Sequence, residues 1–113
     1  MHASTFGELM VIELNSDNFQ QFVKNHDVVL VDFWAPWCSP CLLITPIIEE
    51  LEKEMEGVAF AKLNVDENQE IARMFGIMSI PTLMIFKRGE MVDMVVGVMA
   101  KDALRERIER YMD

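Results

Sequence analysis

Short apolar runs and apolar stripes of helical period alternate along the chain. Residues 28–33 and 82–86 form runs that are apolar on both faces, a pattern typical of strands that helices cover on both sides. Residues 87–90, Lys-Arg-Gly-Glu, predict a hairpin loop after the second run. Three weaker patterns predict further strands at residues 10–14, 58–65 and 91–96.

Four segments carry helical patterns. Ser16 offers an N-cap for a first short helix, whose apolar Phe19, Phe22 and Val23 follow the i, i+3, i+4 spacing. The other helices are predicted at residues 38–55, at residues 68–75 and around Leu104, Ile108 and Tyr111. Because strands and helices alternate without a linker or repeat, the predicted fold class is α/β: a mixed central sheet of four to five strands flanked by four helices, in a single domain.

The composition of the chain excludes some classes of partner and indicates a cellular compartment. The chain has 113 residues and is 51% apolar, which is enough for one modest core. Its net charge of −9 argues against nucleic acid or an anionic membrane as a partner, since clustered Lys and Arg drive both contacts. The sequence contains neither a membrane-spanning run nor an export signal, so we expect a cytoplasmic protein, and nothing points beyond a monomer.

The two cysteines, Cys38 and Cys41, stand between the predicted central strand and the longest helix. Unpaired N–H groups and the helix dipole would favour a thiolate at Cys38, and a thiolate is the nucleophile in disulfide exchange. Cys41 lies one turn deeper on the same helix face, close enough to bond to Cys38 yet less reachable by a bulky protein. This asymmetry predicts that Cys38 attacks a partner's disulfide and that Cys41 resolves the mixed disulfide.

Half of a zinc site is an alternative meaning of the C-x-x-C motif. Zinc takes about four ligands, and the remaining candidates are His2, near the terminus, and His26, beyond the first helix. A zinc site within one chain is therefore poorly supplied, and we predict neither a bound metal nor another bound cofactor. Two inert buried thiols are the other alternative.

Asp32 is the ionisable residue in the apolar run at 28–33, so we expect it to be buried. Burial disfavours the charged carboxylate and raises its pKa. A carboxyl a few residues before the cysteines can accept the Cys41 proton as a general base. Lys62, on a neighbouring strand, is within reach of Asp32 and would lower that pKa again. A purely structural Asp–Lys pair is the equal alternative.

Pro81 precedes the apolar strand at residues 82–86, at a place where it cannot donate a ladder hydrogen bond. From the residues alone a trans proline is expected, since cis forms make up about 5–6% of X–Pro bonds. Met78 and Ile80 precede it in a short loop that can present backbone groups to an extended peptide. Trp37, beside the cysteines, would supply an apolar contact for that peptide. Packing inside the protein is an equal role for Met78.

Several motifs in register resemble the thioredoxin family: residues 31–41 (VDFWAPWCSPC), 61–66 (AKLNVD), 80–82 (IPT) and Gly97. The likeness runs from about residue 8 to residue 112. It implies a thioredoxin fold with a redox-active disulfide between Cys38 and Cys41. It also implies a cis Pro81 that faces Cys38, and a buried pair of Asp32 and Lys62 that assists proton transfer.

The resemblance also places a substrate-binding surface around the cysteines. Its predicted members are Trp37, Pro40, Met78, Ile80, Pro81 and Gly97. The predicted domain spans residues 8–113, and residues 1–7 form an N-terminal extension without an assigned role, which we expect to be disordered.

The activity that the resemblance implies is that of a protein-disulfide reductase. Its partners would be a thioredoxin reductase and disulfide-containing protein substrates. Ser39 stands where the family usually has Gly, and Leu42 stands where Lys or Arg usually follows the second cysteine. A Ser39 hydroxyl can stabilise a thiolate, whereas the missing charge at Leu42 has the opposite effect, so the reduction potential is left open. A thiol oxidase or isomerase of the same fold and a non-catalytic interaction module are the alternatives.

Overall fold

The described part of the chain, residues 11–112 of a computed structural model, forms five strands and four helices. The predicted extension at residues 1–7 and the domain boundary at residue 8 lie outside the described residues and stay predictions. In chain order the elements are β1 (Val11–Leu14), α1 (Phe19–Lys24), β2 (Val28–Trp34), α2 (Ser39–Glu54), β3 (Ala59–Asn64), α3 (Gln69–Met74), β4 (Thr82–Lys87), β5 (Glu90–Val96) and α4 (Lys101–Glu109).

β2 occupies the centre of a mixed sheet whose strand order is β1-β3-β2-β4-β5. β3 runs parallel to both β1 and β2, whereas β4 is antiparallel to β2 and to β5. Every residue of β2 before Trp34 is buried, as expected for a strand that is covered on both faces. The predicted fold class, a mixed sheet of four to five strands flanked by four helices, is confirmed for residues 11–112.

Two apolar cores, one on each face of the sheet, hold the layers together. On one face, α2 and α4 bury Ile44, Leu51 and Leu104 against the strands. On the other face, α1 and α3 cover a cluster of aromatic rings with centroids between 5.5 and 6.4 Å apart. The rings belong to Phe19, Phe33, Phe75 and Phe86. Burying a side chain of this size contributes about 1.5–3 kcal/mol, so these contacts anchor both helices to β2 and β4.

α1 begins later than the sequence pattern predicts. Ser16 is the predicted N-cap, but the N-cap position is Asn18, whose side chain caps no helical N–H group. Asn18 Oδ1 instead accepts from the Asn15 N–H at 2.8 Å. The Ser16 N–H donates to Asn68 Oδ1 at 2.9 Å. Ser16 therefore ties the loop after β1 to the start of α3, because Asn68 is the N-cap residue of α3.

A two-residue turn, Arg88 and Gly89, joins β4 to β5, as the sequence pattern predicts. Both residues have positive φ, 51° for Arg88 and 88° for Gly89, as a type I′ hairpin turn requires. The Asp27 carboxylate accepts hydrogen bonds from Lys87 Nζ and Arg88 Nε, each at 3.0 Å. The hairpin is thereby tied to the residue that precedes β2.

Strand register brings the predicted site segments to the other end of the sheet. Phe33 of β2 pairs with Thr82 of β4, and Thr82 pairs in turn with Val96 of β5. The chain leaving β2 toward Cys38, the loop before β4 and the residue after β5 therefore meet at one edge.

Candidate active site

A disulfide joins Cys38 and Cys41 at the start of α2, with Cα atoms 5.3 Å apart. Cys38 is the N-cap residue, and Pro40 follows in the first turn, where the missing proline N–H breaks no intrahelical bond. The Cys38 N–H donates to the Ala35 carbonyl at 3.1 Å, which turns the chain from β2 into the helix. The two predicted redox residues thus lie together at a helix N-terminus.

The N-terminus of α2 provides a positive potential at Cys38. The Cys41 N–H donates to Cys38 Sγ at 3.2 Å. The first turn of α2, which the structure describes in full, contains no acidic residue. Since backbone N–H groups and the helix dipole favour an anion here, reduction of the disulfide leaves Cys38 with partners that stabilise its thiolate.

Solvent reaches the two sulfur-bearing residues unequally. Cys38 keeps 4% of its surface exposed, whereas Cys41 is fully buried. Both belong to a small apolar cluster with Ala35, against which Trp34 and Ile80 pack. The exposed edge of this cysteine pair therefore belongs to Cys38, and the unequal burial that the sequence predicted is present.

The loop before β4 faces the disulfide. The Ile80–Pro81 peptide bond is cis, as the family resemblance implied, and not trans as the residues alone predicted. The Ile80 carbonyl oxygen lies 3.7 Å from Cys38 Sγ, and Pro81 itself is buried. The Gly97 N–H donates to the Pro81 carbonyl at 2.9 Å, so the residue after β5 supports this loop.

An open groove of about 330 Å³ lies beside the disulfide. Trp37 lines it and is largely exposed, while its indole N–H donates to the Asp66 carboxylate at 2.6 Å. Met78 also lines the groove and is 95% exposed, so packing inside the protein does not explain it. The remaining lining residues are Val65, Asp66, Gln69, Ala72, Arg73, Ile77, Ser79 and Ile80.

The hydrogen bond between Trp37 and Asp66 in this groove is a contact that the sequence did not predict. Asp66 ends the segment 61–66 that resembles the family, but spacing along the chain does not connect it to Trp37. The connection arises because the Val65 N–H donates to the Trp34 carbonyl at 2.9 Å, which joins the chain after β3 to the end of β2. The hydrogen bond that the indole donates to Asp66 then holds Trp37 at the rim of the groove.

Asp32 is buried within β2, with 3% of its surface exposed. Burial raises the pKa of Asp32 to about 7, and two smaller effects oppose each other: the Lys62 charge lowers this pKa and the Glu13 charge raises it. Within residues 11–112, Asp32 Oδ1 has no hydrogen-bond partner. The carboxyl can therefore hold or release a proton near neutral pH.

Lys62 does not form the buried pair with Asp32 that the resemblance implied. The two residues are neighbours in the β2–β3 register, but the ion pair of Lys62 among the described residues is with Glu13, at 3.7 Å from Nζ to Oε1. The ammonium also lies 5.1 Å from the centroid of the Trp34 ring, a cation–π distance. Because 37% of the Lys62 side chain is exposed, solvent screens part of the electrostatic interaction between its charge and Asp32.

Metal-binding clusters and membrane-spanning helices are absent from the part of the chain that the structure describes. No group of three or more His, Cys, Asp or Glu side chains in residues 11–112 could hold a metal ion. Within the same residues, no helix is both long and apolar enough to cross a bilayer.

The fold and this site define a class of protein, the thiol–disulfide oxidoreductases, in which a cysteine pair exchanges electron pairs with other disulfides. The chain belongs to the thioredoxin family, since a thioredoxin family model matches residues 10–110. It is accordingly a protein-disulfide reductase. The family and the activity that the sequence predicted are confirmed.

Named relatives agree with this assignment. A thioredoxin of Bacillus subtilis is 51% identical over 104 residues, which cover 91% of this chain and 100% of that protein. Thioredoxin 1 of a Nostoc species is 47% identical over 102 residues, which cover 88% of this chain and 95% of that protein. Among solved structures, a mutant thioredoxin from Halobacterium salinarum is 39% identical with a TM-score of 0.85, and the match covers 90% of each chain.

The raised pKa of Asp32 predicts a pH-dependent gain in stability for Asp32→Asn. The folded pKa of about 7 lies above the ordinary 3.8, so the folded state binds the Asp32 proton more tightly than the unfolded state. Stability is therefore lost as pH rises between these two values. At 1.36 kcal/mol per pKa unit, Asp32→Asn should raise the free energy of unfolding by about 4 kcal/mol at pH 8 and by less than about 1 kcal/mol at pH 4.

Urea denaturation of the oxidised protein at both pH values measures this difference. The exposed Asp17→Asn variant is the control, since it removes one carboxylate without touching the core. An equal effect of Asp32→Asn at pH 4 and pH 8 would contradict the raised pKa.

Proposed function

We propose that Cys38 is the attacking thiolate and Cys41 the resolving thiol of a cytoplasmic protein-disulfide reductase. The observation that carries these roles is the arrangement at the start of α2, where Cys38 keeps an exposed edge and Cys41 has none. A folded substrate can bring its disulfide to the exposed sulfur, whereas Cys41 is placed to react with Cys38.

In the first step, the Cys38 thiolate attacks one sulfur of the substrate disulfide. A bond forms between Cys38 Sγ and that sulfur, the substrate S–S bond breaks, and the second substrate sulfur leaves as a thiolate. The α2 N-terminus supports the attacking anion, because the Cys41 N–H points at Cys38 Sγ.

In the second step, Cys41 loses its proton and attacks Cys38 Sγ. The Cys38–Cys41 bond forms, the bond between Cys38 Sγ and the substrate sulfur breaks, and that sulfur leaves as a thiolate, so two electrons have passed to the substrate. Asp32 accepts the Cys41 proton, since its pKa of about 7 suits proton exchange at neutral pH, and the Lys62 charge moderates that pKa. Thr45 supports this assignment because it lines a small cavity with Asp32 and its hydroxyl donates to the Cys41 carbonyl at 3.1 Å.

The substrate segment lies along the groove beside Trp37 in this proposal. Trp37 and Met78 provide exposed apolar surface there, and the Ile80 carbonyl stands next to Cys38 Sγ. The proposed binding residues are those that line the groove, start α2 or form and support the loop before β4: Trp37, Pro40, Met78, Ile80, Pro81 and Gly97.

The proposed partners are disulfide-containing proteins and a thioredoxin reductase that returns the electron pair. No bound cofactor is required, because the electron pair resides on the two cysteines. The net charge of −9 supports the exclusion of nucleic acid and anionic membranes as partners. We assign the protein to the cytoplasm as a monomer.

A thiol oxidase or isomerase is the second candidate function, and Ser39 is the observation that favours it. Ser39 begins α2 directly after Cys38, where a hydroxyl can stabilise a thiolate and raise the reduction potential. Leu42 acts in the opposite direction, because this exposed apolar side chain supplies no positive charge to the site.

Equilibration of the cysteine pair with glutathione buffers separates the two functions. For the reductase we expect a potential below the cytosolic glutathione poise of about −220 to −260 mV. Tryptophan fluorescence reports the redox state, since Trp37 stands beside the pair. A potential well above that range would assign an oxidase or isomerase, and a Ser39→Gly control would show whether the hydroxyl is responsible.

Serine variants of the two cysteines test their separate roles. Cys38→Ser should lose all reduction of a protein disulfide such as that of insulin, because the nucleophile is gone. Cys41→Ser should instead accumulate a covalent mixed disulfide with the substrate, visible by mass spectrometry under non-reducing conditions. A Cys38→Ser chain that keeps full biological activity would point to a non-catalytic interaction module.

Met78→Lys tests the substrate-binding groove. We expect kcat/KM toward protein disulfides to fall about threefold to tenfold, because a charged side chain replaces an apolar one that would contact the substrate. Reduction of a small soluble disulfide should be unchanged, since such a substrate does not fill the groove. Met74→Lys is the matched control, because Met74 is also exposed but does not line the groove. Equal rates for both variants would remove Met78 from the binding surface.

A further inference from the structure

Glu13, Lys62 and Asp32 form a row of ionisable side chains across three adjacent strands. The β1–β3 register pairs Glu13 with Lys62, and the β2–β3 register pairs Asp32 with Lys62. Both pairings are parallel, so residues in one row point to the same face of the sheet. That face is the one that α2 covers, since Asp32 and Lys62 line a cavity of about 70 Å³ together with Thr45 and Glu49 of α2.

The Lys62 ammonium, in the middle of this row, lies closer to Glu13 than to Asp32. Lys62 Nζ lies 3.7 Å from Glu13 Oε1 and 5.1 Å from the centroid of the Trp34 ring. Within residues 11–112, Asp32 receives no ion pair from Lys62, and its Oδ1 accepts no hydrogen bond. The Lys62 ammonium therefore lies between Glu13 of β1 and the Trp34 ring, near Asp32 but without an ion pair to it.

We propose that Glu13 is a positioning residue, which draws the Lys62 ammonium toward β1 and so keeps Asp32 without a direct counter-charge. This role rests on the proposed proton transfer by Asp32. A carboxylate in a direct ion pair would stay ionised at neutral pH and could not take up a proton. A buried carboxyl without a direct counter-charge can both accept a proton and release it.

Among the groups that face Asp32 from its neighbouring elements, Glu13 and Lys62 are the ones whose charges shift its pKa. Leu83, its partner on β4, is apolar and buried. From α2, Thr45 is uncharged and its hydroxyl is engaged by the Cys41 carbonyl. Glu49 lines the cavity from α2, yet the charges that act on the pKa of Asp32 are those of Lys62, which lowers it, and Glu13, which raises it.

Glu13→Gln is the variant that tests this role. It keeps the size and hydrogen-bonding capacity of the side chain but releases Lys62 and removes a like charge. The Asp32 pKa in the oxidised protein, followed by ¹³C NMR of its carboxyl carbon, should fall by on the order of half a pH unit. Glu90→Gln at the start of β5 is the control, since it changes net charge equally, and it should leave this pKa in place.

A second pair of variants shows whether Glu13 acts through Lys62. Lys62→Gln should raise the Asp32 pKa, because the nearest cation is lost. Adding Glu13→Gln to Lys62→Gln should then lower it by less than half of the shift seen with Lys62 present. A full shift in the Lys62→Gln background would overturn positioning through Lys62, and no shift in Glu13→Gln alone would overturn the whole proposal.

The pH profile of mixed-disulfide resolution separates this inference from the role of Asp32 in catalysis. If the Asp32 pKa falls in Glu13→Gln and the profile moves down with it, both assignments are supported. If the pKa falls but the profile does not move, Glu13 positions Lys62 as proposed, and the assignment of Asp32 as the proton acceptor fails.

Discussion

The pairing of β2 between β3 and β4 is the constraint on which the rest of this structure depends. Because helices cover both faces of β2, its side chains must be apolar, and Asp32 is the exception. The same strand leads directly to Cys38 at the start of α2. A register shift of one residue would exchange the two faces of β2 and turn Asp32 toward the phenylalanine cluster, away from the helix that holds Cys41. One strand thus places both Cys38, the proposed nucleophile, and the buried carboxyl.

Stability and the proposed proton transfer make opposite demands on Asp32. A direct ion pair with Lys62 would satisfy the carboxylate and lower its pKa, but the carboxyl would then stay ionised at neutral pH. In the structure, Lys62 is paired with Glu13 and lies over Trp34, and burial, the largest effect on Asp32, raises its pKa to about 7. The fold therefore tolerates a destabilising group at its centre, as is common where a perturbed pKa serves a reaction.

Features with a local signal were predictable from the sequence, and features that combine distant segments were not. The two-residue turn at Arg88 and the helix start at Cys38 follow from residues that are adjacent in the chain. The predicted N-cap at Ser16 was wrong because Asn68, far along the chain, accepts hydrogen bonds from both the N–H and the hydroxyl of Ser16 and ties this residue to α3. The contact between Trp37 and Asp66 has no local signal at all, since only the joining of β3 to the end of β2 creates it.

By itself the sequence determined the chemistry of this protein and the burial of its carboxyl. Two cysteines three residues apart at a helix start can form a disulfide whatever surrounds them, and an aspartate inside an apolar strand must leave water. Only the tertiary structure decided which charge faces Asp32. The strand order β1-β3-β2 brings Glu13 and Lys62 into one row with Asp32. Electrostatic energies change steeply over a few ångströms, and residue spacing along the chain carries no information about such distances.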